Sequence, residues 1–128
     1  MRLEHIAIWT KDLERLKTFY VKYFGMKANE KYINLKKGFS SYFLSIDGES
    51  TRFEIMQTDQ LELSTEVKER IGLTHFAFDV GSQEKVDQMT AAFRKEGIVI
   101  VGEPRLTGDG YYESVLLDPD GNRIELMA

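Results

Sequence analysis

Residues 3–8 read LEHIAI, and residues 73–78 read LTHFAF. The offset of 70 aligns Leu3 with Leu73, His5 with His75 and Ala7 with Ala77. A second match closes each half. Residues 51–56 read TRFEIM and residues 122–127 read NRIELM, and an offset of 71 aligns Arg52 with Arg123, Glu54 with Glu125 and Met56 with Met127. Each of these segments follows an Asp-Gly pair, Asp47-Gly48 and Asp120-Gly121. Two matches in the same order at nearly one offset indicate a duplicated structural unit. The first unit runs 1–57 and the second 73–128, with a polar connector, 58–72, expected to carry a short helix.

Outward from these segments, the two halves predict the same elements. Leu3 to Thr10 alternates and is rich in β-formers, so it reads as a strand. Asp12 opens a helix with Leu16, Phe19, Tyr20 and Tyr23 on one face, and Gly25 stops it. Strands are expected near 27–35, 40–46 and 52–57. In the second half a strand spans Leu73 to Val80. A helix from about Gln83 turns Val86, Met89, Ala92 and Phe93 inward and ends at Gly97. Strands follow near 98–106, 111–117 and 122–127, the last two separated by the turn signal Asp118-Pro119-Asp120-Gly121. The fold class is therefore α+β, with two strand–helix–strand–strand–strand units in tandem.

Side chains alternate across a strand. Ile6 and Ile8 share one face, and His5, Ala7 and Trp9 the other. Phe53 and Ile55 oppose Glu54, and Ile124 and Leu126 oppose Glu125. The apolar faces are expected on the helices, which leaves one histidine and one glutamate per half on the opposite face of the sheet. With first and last strands adjacent, and with the units joined about a pseudo-twofold axis, His5, Glu54, His75 and Glu125 would meet. Two imidazoles and two carboxylates suit a borderline divalent ion, zinc or nickel first, then cobalt, manganese or ferrous iron. A lone strand histidine is ordinarily structural, and a His–Glu ion pair inside each half is the plain alternative. Against it, these are the chain's only two histidines, and they occupy equivalent repeat positions.

Composition narrows the remaining classes. Hydrophobic residues at 42% support a packed core rather than disorder. A net charge of −4 argues against a general nucleic-acid binder, and Lys36-Lys37 reads as a solvated turn. The chain has no cysteine, which removes disulfides, thiolate ligands and cysteine nucleophiles. No signal peptide or membrane span is visible in MRLEHIAIW or beyond, so the expectation is a cytoplasmic protein without membrane partners.

LEHIAI, LTHFAF and the ending DPDGNRIEL at 118–126 together resemble the vicinal oxygen chelate superfamily, over essentially the whole chain. That superfamily holds glyoxalase I, methylmalonyl-CoA epimerase, extradiol dioxygenases, and fosfomycin- and bleomycin-resistance proteins. The resemblance implies paired βαβββ units curling into an open, cup-shaped mixed sheet, helices outside, around one metal ion. By position His5, Glu54, His75 and Glu125 match the four-ligand set of glyoxalase I-like members. Dioxygenases and fosfomycin-resistance enzymes use one carboxylate fewer, epimerases carry glutamine where Glu54 stands, and bleomycin binders lack the set. The implied activity is a metal-dependent lyase or isomerase acting on a small α-oxo or α-hydroxy carbonyl adduct through a metal-stabilised enediolate. Glu125 or Glu54 is then the base, with Glu125 favoured by analogy.

The competing readings are a non-catalytic antibiotic or metabolite binder, and a metal-dependent dioxygenase or transferase. Glutathione-using bacterial relatives carry arginine where Trp9 stands, and asparagine within the stretch corresponding to Gln57-Thr58-Asp59, which counts against glutathione as co-substrate. Trp9, Tyr42, Tyr111 and Tyr112 are candidate substrate-pocket walls. Arg52 and Arg123 share the face of the glutamates, although a solvated strand end is the plainer reading. A homodimer is expected because each half leaves a sheet edge for a partner.

Overall fold

In the computed structural model, β1 (His5–Trp9) leads into α1 (Leu13–Phe24), as the Asp12 signal requires. The Asp12 carboxylate accepts from the Arg15 amide at 3.0 Å, satisfying one of the helix's orphan donors. Gly25 closes the helix at φ 63°, a left-handed conformation that glycine adopts without a Cβ penalty. The structure describes residues 2–61, 72–108 and 110–128. They fall into two compact units, Met1–Glu66 and Val67–Ala128. The expected connector helix within 58–72 lies outside the described residues.

The first unit continues with β2 (Lys27–Ala28), β3 (Tyr32–Asn34), a single 3-10 turn at Leu35–Lys37, β4 (Phe39–Ser45) and β5 (Arg52–Thr58). Its sheet runs β1-β5-β4-β2, with β3 also on β4. β1 and β5 are parallel and the other pairs antiparallel. The strand expected over 27–35 is thus broken in two. Ala28 pairs with Leu44 and Tyr32 with Ser41, so three residues on one side face two on the other, a bulge. Asn29 holds the break, its side-chain oxygen accepting from the Phe43 amide at 2.8 Å.

The second unit keeps the simpler order: β6 (His75–Asp79), α2 (Gln83–Lys95), β7 (Ile100–Leu106), β8 (Tyr112–Leu117) and β9 (Arg123–Met127). Its sheet order is β6-β9-β8-β7, again with the first and last strands parallel. Each unit is thus a mixed sheet with one helix on one face, the α+β arrangement expected.

The cores follow the expected faces with one correction. Leu13, Leu16 and Tyr20 of α1 are fully buried with Leu44 and Ile55, and Val86 of α2 with Leu116, Ile124 and Leu126. Each such side chain contributes roughly 1.5–3 kcal/mol by leaving water. Ala92, expected inward, is exposed, and Thr90 is buried instead. A threonine is tolerated there because its hydroxyl bonds the Val86 carbonyl at 2.6 Å and the Ser114 hydroxyl at 2.7 Å.

Candidate metal centre

The parallel ladders determine where the acidic groups go. His5 lies opposite Arg52, and Ala7 opposite Glu54. His75 lies opposite Arg123, and Ala77 opposite Glu125. Histidine and glutamate therefore share one face of each sheet, away from Ile55 and Phe53 in the first unit and from Ile124 and Leu126 in the second. In the first unit His5 Nε2 is 3.9 Å from Glu54 Oε2. In the second His75 Nε2 is 3.2 Å from Glu125 Oε2. Both imidazoles are 41% exposed, while the glutamates are only 15% and 17% exposed. The rings are reachable from solvent, and the carboxylates are mostly screened from it.

The donors fit a divalent metal. Two ligands each about 2.1 Å from a tetrahedral or octahedral ion stand roughly 3.0–3.4 Å apart. The His75–Glu125 spacing lies within that span, and the His5–Glu54 pair needs to draw in by about half an ångström. Each unit supplies two donors by itself, and no group of three or more candidate ligands occurs among the described residues.

His5 is held by groups that the repeat did not announce. Its Nδ1 is 2.6 Å from Glu4 Oε2. The other Glu4 oxygen accepts from Arg52 Nε at 2.9 Å and from Nη2 at 2.5 Å. The Arg52 guanidinium lies 4.0 Å over the Phe43 ring, and Phe43 in turn meets the His5 ring edge-on at 5.4 Å. The hydrogen bond from His5, then those from Arg52, hold the Glu4 carboxyl below its ordinary value. Arg52 is therefore engaged by Glu4 beside His5, while its side chain stays 41% exposed. The available signal was a charge directly before His5, with arginine at the matching end of β5. The second unit carries Thr74 at the equivalent position.

The aromatic candidates divide. Trp9 alternates onto the His5 face, is 48% exposed, and meets Phe39 edge-on at 6.1 Å. Tyr111 lies in the turn before β8, its amide bonded to the Thr107 hydroxyl at 3.1 Å. Tyr42 and Tyr112 correct the expectation of pocket walls, because both lie on the helix side of their sheets. Tyr42 pairs with the core residue Ile55 and donates its hydroxyl to Glu14 of α1 at 2.9 Å. Tyr112 alternates with buried Ser114 and Leu116 and donates to Asp87 of α2 at 2.8 Å. On the His75 face the structure instead offers Glu113, held by Arg105 at 2.9 Å. Glu113 alternates with Val115, the direct partner of Glu125.

Comparison with known proteins agrees with the fold. The model of the Glyoxalase/Bleomycin resistance protein/Dioxygenase superfamily matches residues 2–126. YqjT of Bacillus subtilis (strain 168), described as uncharacterized, is 30% identical, with 98% of each chain covered. A putative lactoylglutathione lyase of Brassica oleracea var. gemmifera is 31% identical over 98% of this chain, which spans only 44% of that enzyme's length. Among solved structures, a glyoxalase family protein from Enterococcus faecalis superposes with a TM-score of 0.81 at 26% identity, covering 99% of this chain and 97% of that one. No described helix is long and apolar enough to cross a membrane.

Proposed function

The chain belongs to the Glyoxalase/Bleomycin resistance protein/Dioxygenase superfamily, and from that premise we propose that it is a metal-dependent lyase or isomerase of the glyoxalase class. Its substrate is a small α-oxo or α-hydroxy carbonyl adduct. The observation that carries this reading is the repeated pair: one imidazole and one screened carboxylate on the same sheet face of each unit. His5 with Glu54, and His75 with Glu125, supply the four donors that a zinc or nickel ion would take. When bound, the ion would act as a Lewis acid toward two neighbouring substrate oxygens.

The chain's own residues account for the rest. Glu125, with Glu54 as the other candidate, takes a proton from one substrate carbon and returns it to the adjacent carbon. Trp9 and Tyr111 border the substrate. The similarity to a putative lactoylglutathione lyase supports the reaction class. Tryptophan at position 9 and Gln57-Thr58-Asp59 count against glutathione as the co-substrate. The active species is a homodimer acting on a soluble metabolite.

The test combines metal analysis with activity. Purified protein should retain or take up one divalent ion per His5–Glu54 and His75–Glu125 set, and should turn over a methylglyoxal–thiol adduct without oxygen. Glu125→Gln should reduce turnover by about 100-fold or more, the usual scale for a lost acid–base group. Full activity in that variant removes Glu125 from the role. A wild-type protein that takes up no metal sinks the reading altogether.

A further inference from the structure

We propose that Glu4 is a positioning residue for His5, selecting the imidazole tautomer that keeps the proton on Nδ1 and leaves the Nε2 lone pair on the Glu54 side. The proposal rests on the metal reading for its purpose, and on geometry for its content. Glu4 Oε2 stands 2.6 Å from Nδ1. An ionised carboxylate has no hydrogen to donate, so a hydrogen bond at that distance requires the proton on Nδ1. Nε2, the other ring nitrogen, is the one on the Glu54 side, at 3.9 Å.

The carboxylate is itself held. Its second oxygen takes both Arg52 hydrogen bonds, and Arg52 is fixed over Phe43. Phe43 meets the edge of the His5 ring. Glu4, Arg52 and Phe43 close a loop of contacts with the imidazole, so both ring orientation and tautomer are set. In the second unit Thr74 occupies this position and has no carboxylate to offer. The two histidines are thus predicted to differ: His5 is held in one tautomer by Glu4, and His75 serves as an internal reference.

The test reads tautomers before any metal is added. Long-range 1H–15N spectra of the metal-free protein are recorded at about pH 8, above the ordinary imidazole range. His75→Gln assigns the two rings. In the wild type His5 should show protonated Nδ1 and bare Nε2. Glu4→Ala should mix the His5 tautomers and leave His75 unchanged, and Glu4→Gln, which keeps an acceptor, should restore the wild-type pattern in part. Nickel titration should then show affinity lowered about 10–100-fold in Glu4→Ala, the usual scale for such outer partners, and less in Glu4→Gln. An unchanged His5 tautomer in Glu4→Ala overturns this proposal. Nickel failing to bind the wild type overturns the metal reading instead, so the two failures are distinguishable.

Discussion

Ala77 and Glu125 are direct partners in the parallel ladder between β6 and β9, as Ala7 and Glu54 are between β1 and β5. In both units the residue opposite the glutamate carries a single methyl group. That leaves room for the carboxylate to lean toward the histidine two residues earlier, on the same face. A larger side chain would occupy that room. Ala77→Leu is therefore expected to lower nickel affinity by about tenfold or more, on the scale of other changes beside metal ligands. The melting temperature should move little, because Ala77 is exposed and no core contact is disturbed. Isothermal titration beside a thermal melt checks both parts, and undiminished nickel binding by Ala77→Leu would remove the steric argument.

What was legible in the sequence was whatever depends on short-range alternation. The His5–Ala7 and Glu54 faces follow from single strands, whereas the parallel pairing of first and last strands is given by the ladders of the fold. Tyr42 was not legible in this way. It sits in the run SYFLS, where aromatic and apolar residues fill both faces, and only its pairing with Ile55 shows which way it points. Thr90 was not legible in place of Ala92, because polarity alone does not reveal a hydroxyl whose partners, Val86 and Ser114, are supplied by the fold. The duplication also concealed something. The repeat marks what the halves share, whereas Glu4 matters because Thr74 differs from it.

The same carboxylate–tyrosine contact gives a prediction for acid. Glu14 accepts from Tyr42, from Lys31 at 3.2 Å and from Lys17. The Lys17 hydrogen bond, working against partial desolvation and joined by those of Tyr42 and Lys31, brings its carboxyl from 4.5 down to about 2. A carboxyl whose pKa falls on folding stabilises the fold above its unfolded value, and that contribution disappears as pH drops from about 4.5 toward 2. The group is half exposed, so the contribution is discounted for screening to about 1 kcal/mol or less. Glu14→Gln should lower the melting temperature by a few degrees at neutral pH. The gap from wild type should narrow steadily below about pH 4.5, and a gap independent of pH would contradict the assignment.

Thr90 and Ser114 form a polar pair inside the second unit, 1% exposed each. Thr90→Val leaves the Ser114 hydroxyl without this partner in an apolar setting, which costs about 1–3 kcal/mol. Ser114→Ala alone is milder, because the Thr90 hydroxyl still reaches the Val86 carbonyl. Replacing both removes the stranded group, so the double variant should be more stable than Thr90→Val by itself. Urea unfolding of the four proteins measures this cycle, and simple additivity would show that the pair is not coupled.

Metal binding and folding should be linked through the two pairs. An ion that binds the folded chain and not the unfolded one stabilises it by about 2.7 kcal/mol at a concentration a hundred times its dissociation constant. For a chain of 128 residues, that corresponds to a rise of roughly ten degrees in melting temperature. Chelation should reverse the rise, and magnesium should not produce it, because imidazole donors suit zinc and nickel rather than a hard oxygen-seeking ion. His75→Ala and His5→Ala should each abolish most of the shift. If only one of them does, the ion is held by a single unit's pair, and the other histidine has a different task. Equal loss in both, with half of the shift left in each, would mean two independent sites rather than one shared set of four donors.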